Sequence, residues 1–315
     1  MISYLDERDS DGGLVVEAPT ESRNPATFDL DLLPTLELLR RINADDALVP
    51  AAVERALPSL AVVVDMAVAV LTSGGSVHYF GAGTSGRMAT MDAAELVPTF
   101  DLEAGRIVAH AAGGAEAFEN AVEGVEDDQA SGCSAASGLV RGDLALGLTA
   151  SGRTPYVAGA LAAARSAGAG TVLVSANPDA QIAGLVDVHV CVETGPEVLT
   201  GSTRMKAGTA QKLVLTAFST ATMVRLGRTY SNLMTSVVAS NAKLHGRMVG
   251  ILSEATGADQ ESSVQILNES EGDLKLALVR LLGQVDASTA TTALQDADGV
   301  VRTALRSLDS STRSV

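Results

Sequence analysis

Apolar runs alternate with longer Ala-rich stretches through the middle of the chain. The candidate strands lie at 76–80, 106–110, 144–149, 171–175 and 186–192. Stretches with helical spacing lie between them, near 85–96, 115–130 and 155–167. Short runs that are rich in β-branched residues and alternate with helices predict a parallel sheet with helices on both faces. We therefore predict an α/β fold built on a doubly wound parallel sheet.

Helical spacing also precedes and follows this region. The C-terminal part contains a short repeat, because Leu267-x4-Gly272 recurs 27 residues later as Leu294-x4-Gly299. Two copies are too few for a repeat array, which needs about three or more, so we predict a small all-helical appendage. The predicted division is a disordered acidic segment at 1–18, the α/β domain with N-terminal helices at 19–235, and the helical region at 236–315.

Composition and charge narrow the class of protein. Hydrophobic residues make up 46% of the chain but aromatic residues only 3%, so the core must consist of Ala, Val and Leu. The formal net charge is 22 − 38 = −16, which argues against nucleic acid and anionic membranes as partners. Two cysteines suggest a reducing compartment without disulfides.

The N-terminus does not resemble a signal peptide, and the apolar stretch 60–71 is too short to span a bilayer. We expect a soluble, cytoplasmic protein.

The segment FGAGTSGR (80–87) follows a predicted strand and opens a predicted helix. Glycines such as Gly83 let the backbone approach an anion, and a helix N-terminus attracts it. The spacing matches the G-x-G-x-x-G of dinucleotide sites, yet the next strand ends at His110 without the acid that would hold a ribose. The hydroxyls of Thr84 and Ser85 favour a phosphate or sugar. A nucleotide site and a purely structural turn remain alternatives.

The segment LTASGRTP (148–155) is a second junction of the same kind. Hydroxyls and main-chain N–H groups together can form an anion nest that needs no lysine. Ordinary helix capping explains one of the three hydroxyls but hardly all of them. We predict the main phosphate site here, and its candidate residues are Thr149, Ser151, Gly152, Arg153 and Thr154.

These two loops resemble the sugar isomerase (SIS) domain, a doubly wound fold that binds phosphosugars. The segment ETGPEVLTGSTRMKAGTAQK (193–212) is similar to a signature shared by N-acetylmuramic acid 6-phosphate etherases and glucokinase regulatory proteins. The resemblance extends to TESRN (20–24), GAGTSGRMATMDAAELVPTF (81–100), EGVEDD (123–128) and GDLKLALV (272–279). One departure is Leu96-Val97, where the family pattern has Cys-Pro or similar.

The resemblance implies a lyase that needs no cofactor. Such an enzyme cleaves the D-lactyl ether of N-acetylmuramic acid 6-phosphate by elimination and water addition, giving N-acetylglucosamine 6-phosphate and D-lactate. It implies a phosphosugar substrate and no metal, and the four histidines and two cysteines show no metal-ligand spacing. A sugar-phosphate-binding regulator and an aldose–ketose isomerase of the same fold are the alternatives.

By the same resemblance two carboxylates divide the proton transfers. Glu95 is expected to protonate the departing lactyl oxygen, and Glu126 to take the proton from C2 of the ring-opened sugar. If 115–130 is one helix, Glu126 lies nearest its apolar stripe, at the rim of a buried face. A solvated charge run is the alternative for this acidic segment.

Two further points concern the distance between Ser85 and Glu95 and the cation that binds the lactyl carboxylate. Glu95 follows Ser85 by ten residues, about 15 Å along a helix, so the phosphate binds chiefly at 149–154 or the site is shared in a homodimer. We favour both. The candidate cations for the lactyl carboxylate are Arg87, Arg153, Arg204 and Lys206, with ion pairing to the chain's acids as the alternative. Glu197 and Ser202 are further candidates for substrate contact, although Ser202 also suits a helix cap.

Overall fold

The computed structural model describes residues 18–237 and 242–312. The predicted disorder at 1–18 lies outside the described residues except for Ala18, which is buried. The described residues form two compact units, one of 18–92 with 107–218 and the other of 93–106 with 219–237 and 242–312. The predicted boundary between residues 235 and 236 stays a prediction.

A five-stranded parallel sheet forms the centre of the first unit. Its strands are β1 (Val77–Gly81), β2 (Ile107–Ala111), β3 (Leu144–Leu148), β4 (Gly170–Ser175) and β5 (Val188–Cys191). They lie in the order β2-β1-β3-β4-β5, and every neighbouring pair is parallel. Each coincides with a predicted strand to within two residues, so the predicted α/β sheet is confirmed.

Helices cover both faces of this sheet. The helices up to residue 225 are α1 (Thr35–Asp46), α2 (Val49–Thr72), α3 (Gly83–Phe100), α4 (Glu116–Glu119), α5 (Gln129–Ala135), α6 (Pro155–Ala167) and α7 (Lys206–Arg225). A Cβ at Gly147 of β3 would contact Val157 and Leu161 of α6, whereas one at Gly170 of β4 would contact Met66 of α2. Since Gly147 and Gly170 point to opposite faces in the strand register, α6 and α2 pack on opposite sides.

One segment, Thr35–Thr72, is long and apolar enough to cross a membrane by length and composition alone. It is longer than the 60–71 stretch considered from the sequence. Nine residues of α2 within it are buried, from Val49 to Leu71, and α2 packs against β1, β3 and β5. Burial in the core therefore explains the apolar character of α2.

The second unit is largely helical beyond residue 241. It contains α8 (Ala242–Thr256), α9 (Gln260–Glu269), α10 (Leu274–Gly283), α11 (Ala287–Asp296) and α12 (Val301–Thr312), with a short hairpin of β6 (Thr229–Tyr230) and β7 (Leu233–Met234). The sequence repeat is a repeated turn, because Gly272 N donates to Leu267 O at 2.9 Å and Gly299 N to Leu294 O at 2.8 Å. Both glycines have positive φ, +80° and +73°, as a helix C-terminus of this kind requires.

Candidate functional site

The two predicted loops meet at the carboxyl edge of the sheet. β1 lies between β2 and β3, so the chain leaves β1 toward one side and returns on the other. Ligands of open α/β sheets bind at such a switch point, outside the carboxyl ends of the strands. Gly81 pairs with Leu148, and therefore the loops that start at Ala82 and Thr149 leave the sheet side by side.

The hydroxyls of the 149–154 loop are joined to one another. Thr149 Oγ1 lies 2.7 Å from Thr154 Oγ1 and 3.5 Å from Ser151 Oγ. Gly152 N donates to Thr149 Oγ1 at 3.3 Å, and Arg153 N donates to Ser151 Oγ at the same distance. The loop therefore concentrates hydroxyls and amide hydrogens before the N-terminus of α6, a geometry that suits an anion.

A residue that the sequence reasoning missed holds this loop in place. Asn177, which follows β4 and is 1% exposed, donates through Nδ2 to Ser151 O at 2.9 Å. Ile182 N donates to Gly152 O at 3.2 Å. An Asn-Pro pair directly after an apolar strand was the available signal, since such residues mark turns at strand ends.

The 81–86 loop uses its glycines mainly for backbone packing. A Cβ at Gly81 would lie 2.8 Å from Gly86 N, and one at Gly86 would lie 2.8 Å from Gly81 O. Gly83 has φ +54° and is exposed. Ser85 is buried, and Thr84 lies close to Gly208 of α7. The tight-turn alternative thus explains Gly81 and Gly86, while the predicted ligand contacts of Gly83, Thr84 and Ser85 stay predictions.

The predicted single helix at 115–130 is wrong. α4 ends at Glu119, Asn120 is extended, Gly124 has φ +74°, and α5 begins only after Asp128, whose side chain accepts Ser131 N. The extended backbone at Asn120 ends α4, Gly124 turns the chain, and the capping aspartate starts α5. The continuous apolar stripe assumed for this segment therefore does not exist, and Phe118, an apolar residue within it, is 46% exposed.

The structure nevertheless places Glu126 beside the hydroxyl loop. Tyr156 N, in the first turn of α6, donates to Glu126 O at 2.9 Å. Thr154 lies two residues before Tyr156, so the main chain of Glu126 sits next to the predicted phosphate site. The Glu126 side chain is exposed. A main-chain contact, rather than helical periodicity, holds this residue next to the loop, and the catalytic role of its carboxylate stays a prediction.

Glu95 lies on α3 and belongs to the second unit. Its side chain is exposed. The next two residues are those that depart from the family pattern, and Leu96 is buried whereas Val97 is 48% exposed. The departure therefore changes one packing residue and one surface residue.

Glu197 and Lys206 are both buried and bound within the protein. The Glu197 carboxylate accepts Lys206 N and Ala207 N, each at 2.9 Å, and so caps α7. Burial raises the pKa of Glu197 although these two bonds oppose the shift. The Lys206 ammonium lies 2.9 Å from the Asp45 carboxylate and donates to Pro196 O. Substrate contact by Glu197 or Lys206 stays a prediction, and these partners argue against it.

Ser202 and the three candidate arginines lie in different parts of the structure. Ser202 is half-buried in the turn before α7, where its carbonyl accepts Met205 N. Arg87 donates to Phe118 O and Asn120 O, each at 3.0 Å, so it clamps the segment that follows α4. Arg204 is exposed. Of the candidate cations, Arg153 is the one that belongs to the hydroxyl loop.

Two stacked histidines, His78 on β1 and His110 on β2, lie in the strands next to the site loops. His78 Nδ1 is 2.9 Å from His110 Nε2, and the His110 ring stacks on Phe80 with centroids 4.7 Å apart. Burial, aided by the charge of His78, lowers the pKa of His110 to about 4. In the described part of the chain, no group of three or more His, Cys, Asp or Glu residues is placed to hold a metal ion.

Lowering the pH should reduce the stability of the folded protein because of His110. Its pKa falls from 6.5 in the unfolded chain to about 4 in the folded one, so the unfolded chain binds more protons between these values. Stability is therefore lost as pH drops from about 6.5 toward 4. We expect His110→Phe, which keeps the stacking on Phe80, to lose less melting temperature between pH 7 and 5 than the native protein. His245→Gln, at an exposed position, is the control and should keep the native slope. Equal slopes in all three proteins would contradict this assignment.

Comparison with known proteins finds relatives that match most of the chain and a family model and solved structures that match part of it. A family model described as the glucokinase regulatory protein N-terminal SIS domain matches residues 59–165. The N-acetylmuramic acid 6-phosphate etherase of Thermobifida fusca (strain YX) is 63% identical over 268 residues, which cover 85% of this chain and 88% of that protein. The N-acetylmuramic acid 6-phosphate etherase of Serratia proteamaculans (strain 568) is 48% identical over 288 residues, which cover 91% and 97%. A solved structure of a phosphoheptose isomerase from Francisella tularensis is 16% identical with a TM-score of 0.46, covering 60% of this chain and 98% of that one.

Proposed function

This chain belongs to the family of N-acetylmuramic acid 6-phosphate etherases, and on that premise we propose that it removes the D-lactyl group from N-acetylmuramic acid 6-phosphate. The products are N-acetylglucosamine 6-phosphate and D-lactate, and the enzyme works in the cytoplasm without a metal or an organic cofactor. The observation that carries this proposal is the bond from Tyr156 N to Glu126 O, 2.9 Å long. It holds the main chain of an acidic residue against the first turn of α6, two residues after the last hydroxyl of a loop that suits a phosphate.

The phosphoryl group binds to the 149–154 loop. A chain with net charge −16 repels a phosphosugar at long range, so attraction must come from local donors. The hydroxyls of Thr149, Ser151 and Thr154 now bond to one another, and each can rotate to donate to a phosphoryl oxygen instead. Gly152 N and the N-terminus of α6 add amide hydrogens and a favourable dipole.

Two proton transfers then suffice for the reaction. In the ring-opened sugar, the C1 aldehyde makes the C2 proton acidic, and Glu126 takes it. The electron pair forms a C2=C3 double bond while the C3–O bond breaks and Glu95 protonates the departing lactyl oxygen. Water then adds to C3, giving its proton to Glu95, and Glu126 returns a proton to C2. Each positioned transfer contributes about 10²–10⁴-fold in rate.

A homodimer explains the apolar surface near the N-terminus. Large hydrophobic side chains there are more than half exposed, and they are Phe28, Leu32, Leu36, Leu39 and Leu48. No residue of α1 is buried. An exposed patch of this kind marks an interaction surface, and a second copy of the chain is the occupant that would also complete the site.

Mixing two inactive variants tests the shared site. If Glu95 of one copy serves the substrate bound beside Glu126 of the other, a mixed dimer of Glu95→Ala and Glu126→Ala has one intact site. After unfolding and refolding together, we expect about a quarter of native lactate release, because half the dimers are mixed and each has one working site of two. Each variant refolded alone is the control. Activity no higher than that of the separate variants would place both glutamates of a site in one chain.

The function itself is tested by incubating the purified protein with N-acetylmuramic acid 6-phosphate and measuring D-lactate. A regulator would bind the sugar without releasing lactate, and an aldose–ketose isomerase would form a ketose phosphate. We expect lactate and N-acetylglucosamine 6-phosphate in equal amounts, unchanged by added NAD or by a chelator. A protein that binds the substrate but releases no lactate would overturn the proposal.

A further inference from the structure

A cavity of about 560 Å³ opens at the carboxyl end of β2, the edge strand of the sheet. Its walls come from the loop after β2, from α4, from α5 and from the start of α6. The lining side chains that matter most are His110, Phe118, Ser131, Ser134 and Tyr156. The volume lies within the range of about 300–1,000 Å³ that is typical of small-molecule sites.

The turn that carries Glu126 contacts residues that line this cavity. Tyr156 lines the cavity and its main-chain N–H holds Glu126 O. Gly113 also lines it, and a Cβ built there would lie 3.3 Å from Val125 Cγ1. Val125, directly before Glu126, therefore lies near the Gly113 wall, and α5, which forms another wall, begins three residues after Glu126. The Glu126 turn thus lies next to segments that line the cavity.

The lining excludes the charged parts of the substrate. Within the described residues, no Lys, Arg, Asp or Glu lines the cavity. Its polar side-chain groups are hydroxyls, at Thr90, Ser131, Ser134 and Tyr156, and the His110 ring, which stays neutral at physiological pH because burial lowers its pKa. A phosphoryl group or a lactyl carboxylate would enter without a cation to balance it. A neutral amide with an apolar tail fits such walls.

We propose that this cavity receives the 2-acetamido group of the substrate and so selects N-acylated sugars. The inference rests on the proposed function. The acetamido group is attached to C2, the carbon from which Glu126 takes its proton, so it must lie close to the Glu126 turn. Phe118 and the Gly113-Gly114 backbone offer an apolar surface for the methyl group, and Ser131 and Ser134 offer hydrogen bonds for the amide.

The size of the cavity adds a second expectation. An acetyl group fills only a small part of about 560 Å³. Sugars with longer neutral acyl groups, such as propionyl or butyryl, should therefore bind with affinities within about tenfold of the acetyl compound. A single methylene changes affinity by about 10-fold to 200-fold where a pocket fits the group tightly, and this cavity leaves space around it.

The test compares the affinities of N-acetylglucosamine 6-phosphate and glucose 6-phosphate, measured by calorimetry. Ser134→Leu removes one of the hydroxyls proposed to bind the amide and places a larger apolar side chain there, at an exposed position on α5, so folding should be preserved. We expect it to weaken binding of the acetamido sugar by about 10–100-fold while leaving glucose 6-phosphate within about threefold. N-butyrylglucosamine 6-phosphate should bind the native protein and lose the most affinity in the variant.

Ala130→Leu is the matched control, because Ala130 is exposed on the same helix and does not line the cavity. It should leave both affinities unchanged. Ser131→Leu, which removes the other hydroxyl on α5, serves as a second variant if the first is unstable. Equal weakening of both sugars, or no weakening of either, would overturn the proposal. Because these are binding measurements, they remain decisive even if the protein releases no lactate, a result that would overturn the proposed function alone.

Discussion

Replacing Glu126 with glutamine should lower kcat for lactate release by about 10²–10⁴-fold, the contribution of one positioned proton transfer. Glutamine keeps the size of the side chain but cannot accept the C2 proton. The Glu126 side chain is exposed, and its structural contact is made by the main-chain oxygen that Tyr156 N reaches. The substitution therefore removes the base without removing a packing contact, and affinity for N-acetylglucosamine 6-phosphate should change by less than about threefold.

Proton exchange separates the two glutamates. In deuterated water, a C2 base exchanges the C2 proton of N-acetylglucosamine 6-phosphate even when no ether is present to cleave. We expect Glu126→Gln to abolish this exchange and Glu95→Gln to retain it while losing lactate release. Glu123→Gln, at an exposed position in the same turn region, is the matched control and should behave like the native protein. Exchange at the native rate in Glu126→Gln would remove Glu126 from the role of base.

The sheet was predictable because its signals are local. Parallel strands buried on both faces appear as continuous apolar runs, and all five residues of β3 are buried. The Ala-rich stretch at 155–167 coincides with α6, Pro155–Ala167, because Pro155 marks its start and Gly168, with φ +80°, marks its end. Where the boundary residues have strong conformational preferences, a sequence determines the element.

The region around Glu126 was not predictable by periodicity. Its acidic and apolar residues follow a helical pattern from 115 to 130, yet Gly124 takes a left-handed conformation and α4 spans only Glu116–Glu119. What fixes this segment is non-local, because Arg87 holds the carbonyls of Phe118 and Asn120 and Tyr156 holds that of Glu126. Contacts with residues far away in the chain do not appear in a local pattern.

The same limit applies to the polar residues around the loops. Glu197 and Lys206 belong to the segment most similar to the family signature, yet their contacts are with the start of α7 and with Asp45. A shared motif identifies residues that matter without separating those that hold the backbone from those that touch a ligand. Asn177 has no place in that motif, and only its bond to Ser151 O reveals its part in the loop.

Replacing Gly152 with alanine should destabilise the protein by about 3 kcal/mol and abolish phosphosugar binding. Gly152 has φ +72°, where a side chain costs about 1–2 kcal/mol. The added Cβ would also lie 2.8 Å from Ala180 Cα and closer still to Ala180 Cβ, a clash that only a backbone shift can relieve, at about 1–3 kcal/mol. That shift would move Gly152 N and the neighbouring hydroxyls away from the positions that bind the phosphate. Denaturant unfolding and calorimetric titration with N-acetylglucosamine 6-phosphate measure the two effects.

The double variant Gly152→Ala with Ala180→Gly measures how much of the loss comes from the contact between the two Cβ atoms. Removing the Ala180 side chain relieves that contact but leaves the 2.8 Å contact with the Cα of residue 180 and φ +72° at residue 152, so we expect partial recovery of stability. Gly184→Ala is the control, because a Cβ there meets no atom within 4 Å, and both its stability and its affinity should stay near native. If Gly152→Ala is stable and binds the phosphosugar normally, the phosphate does not sit on this loop, and the mechanism built on its proximity to Glu126 loses its geometric basis.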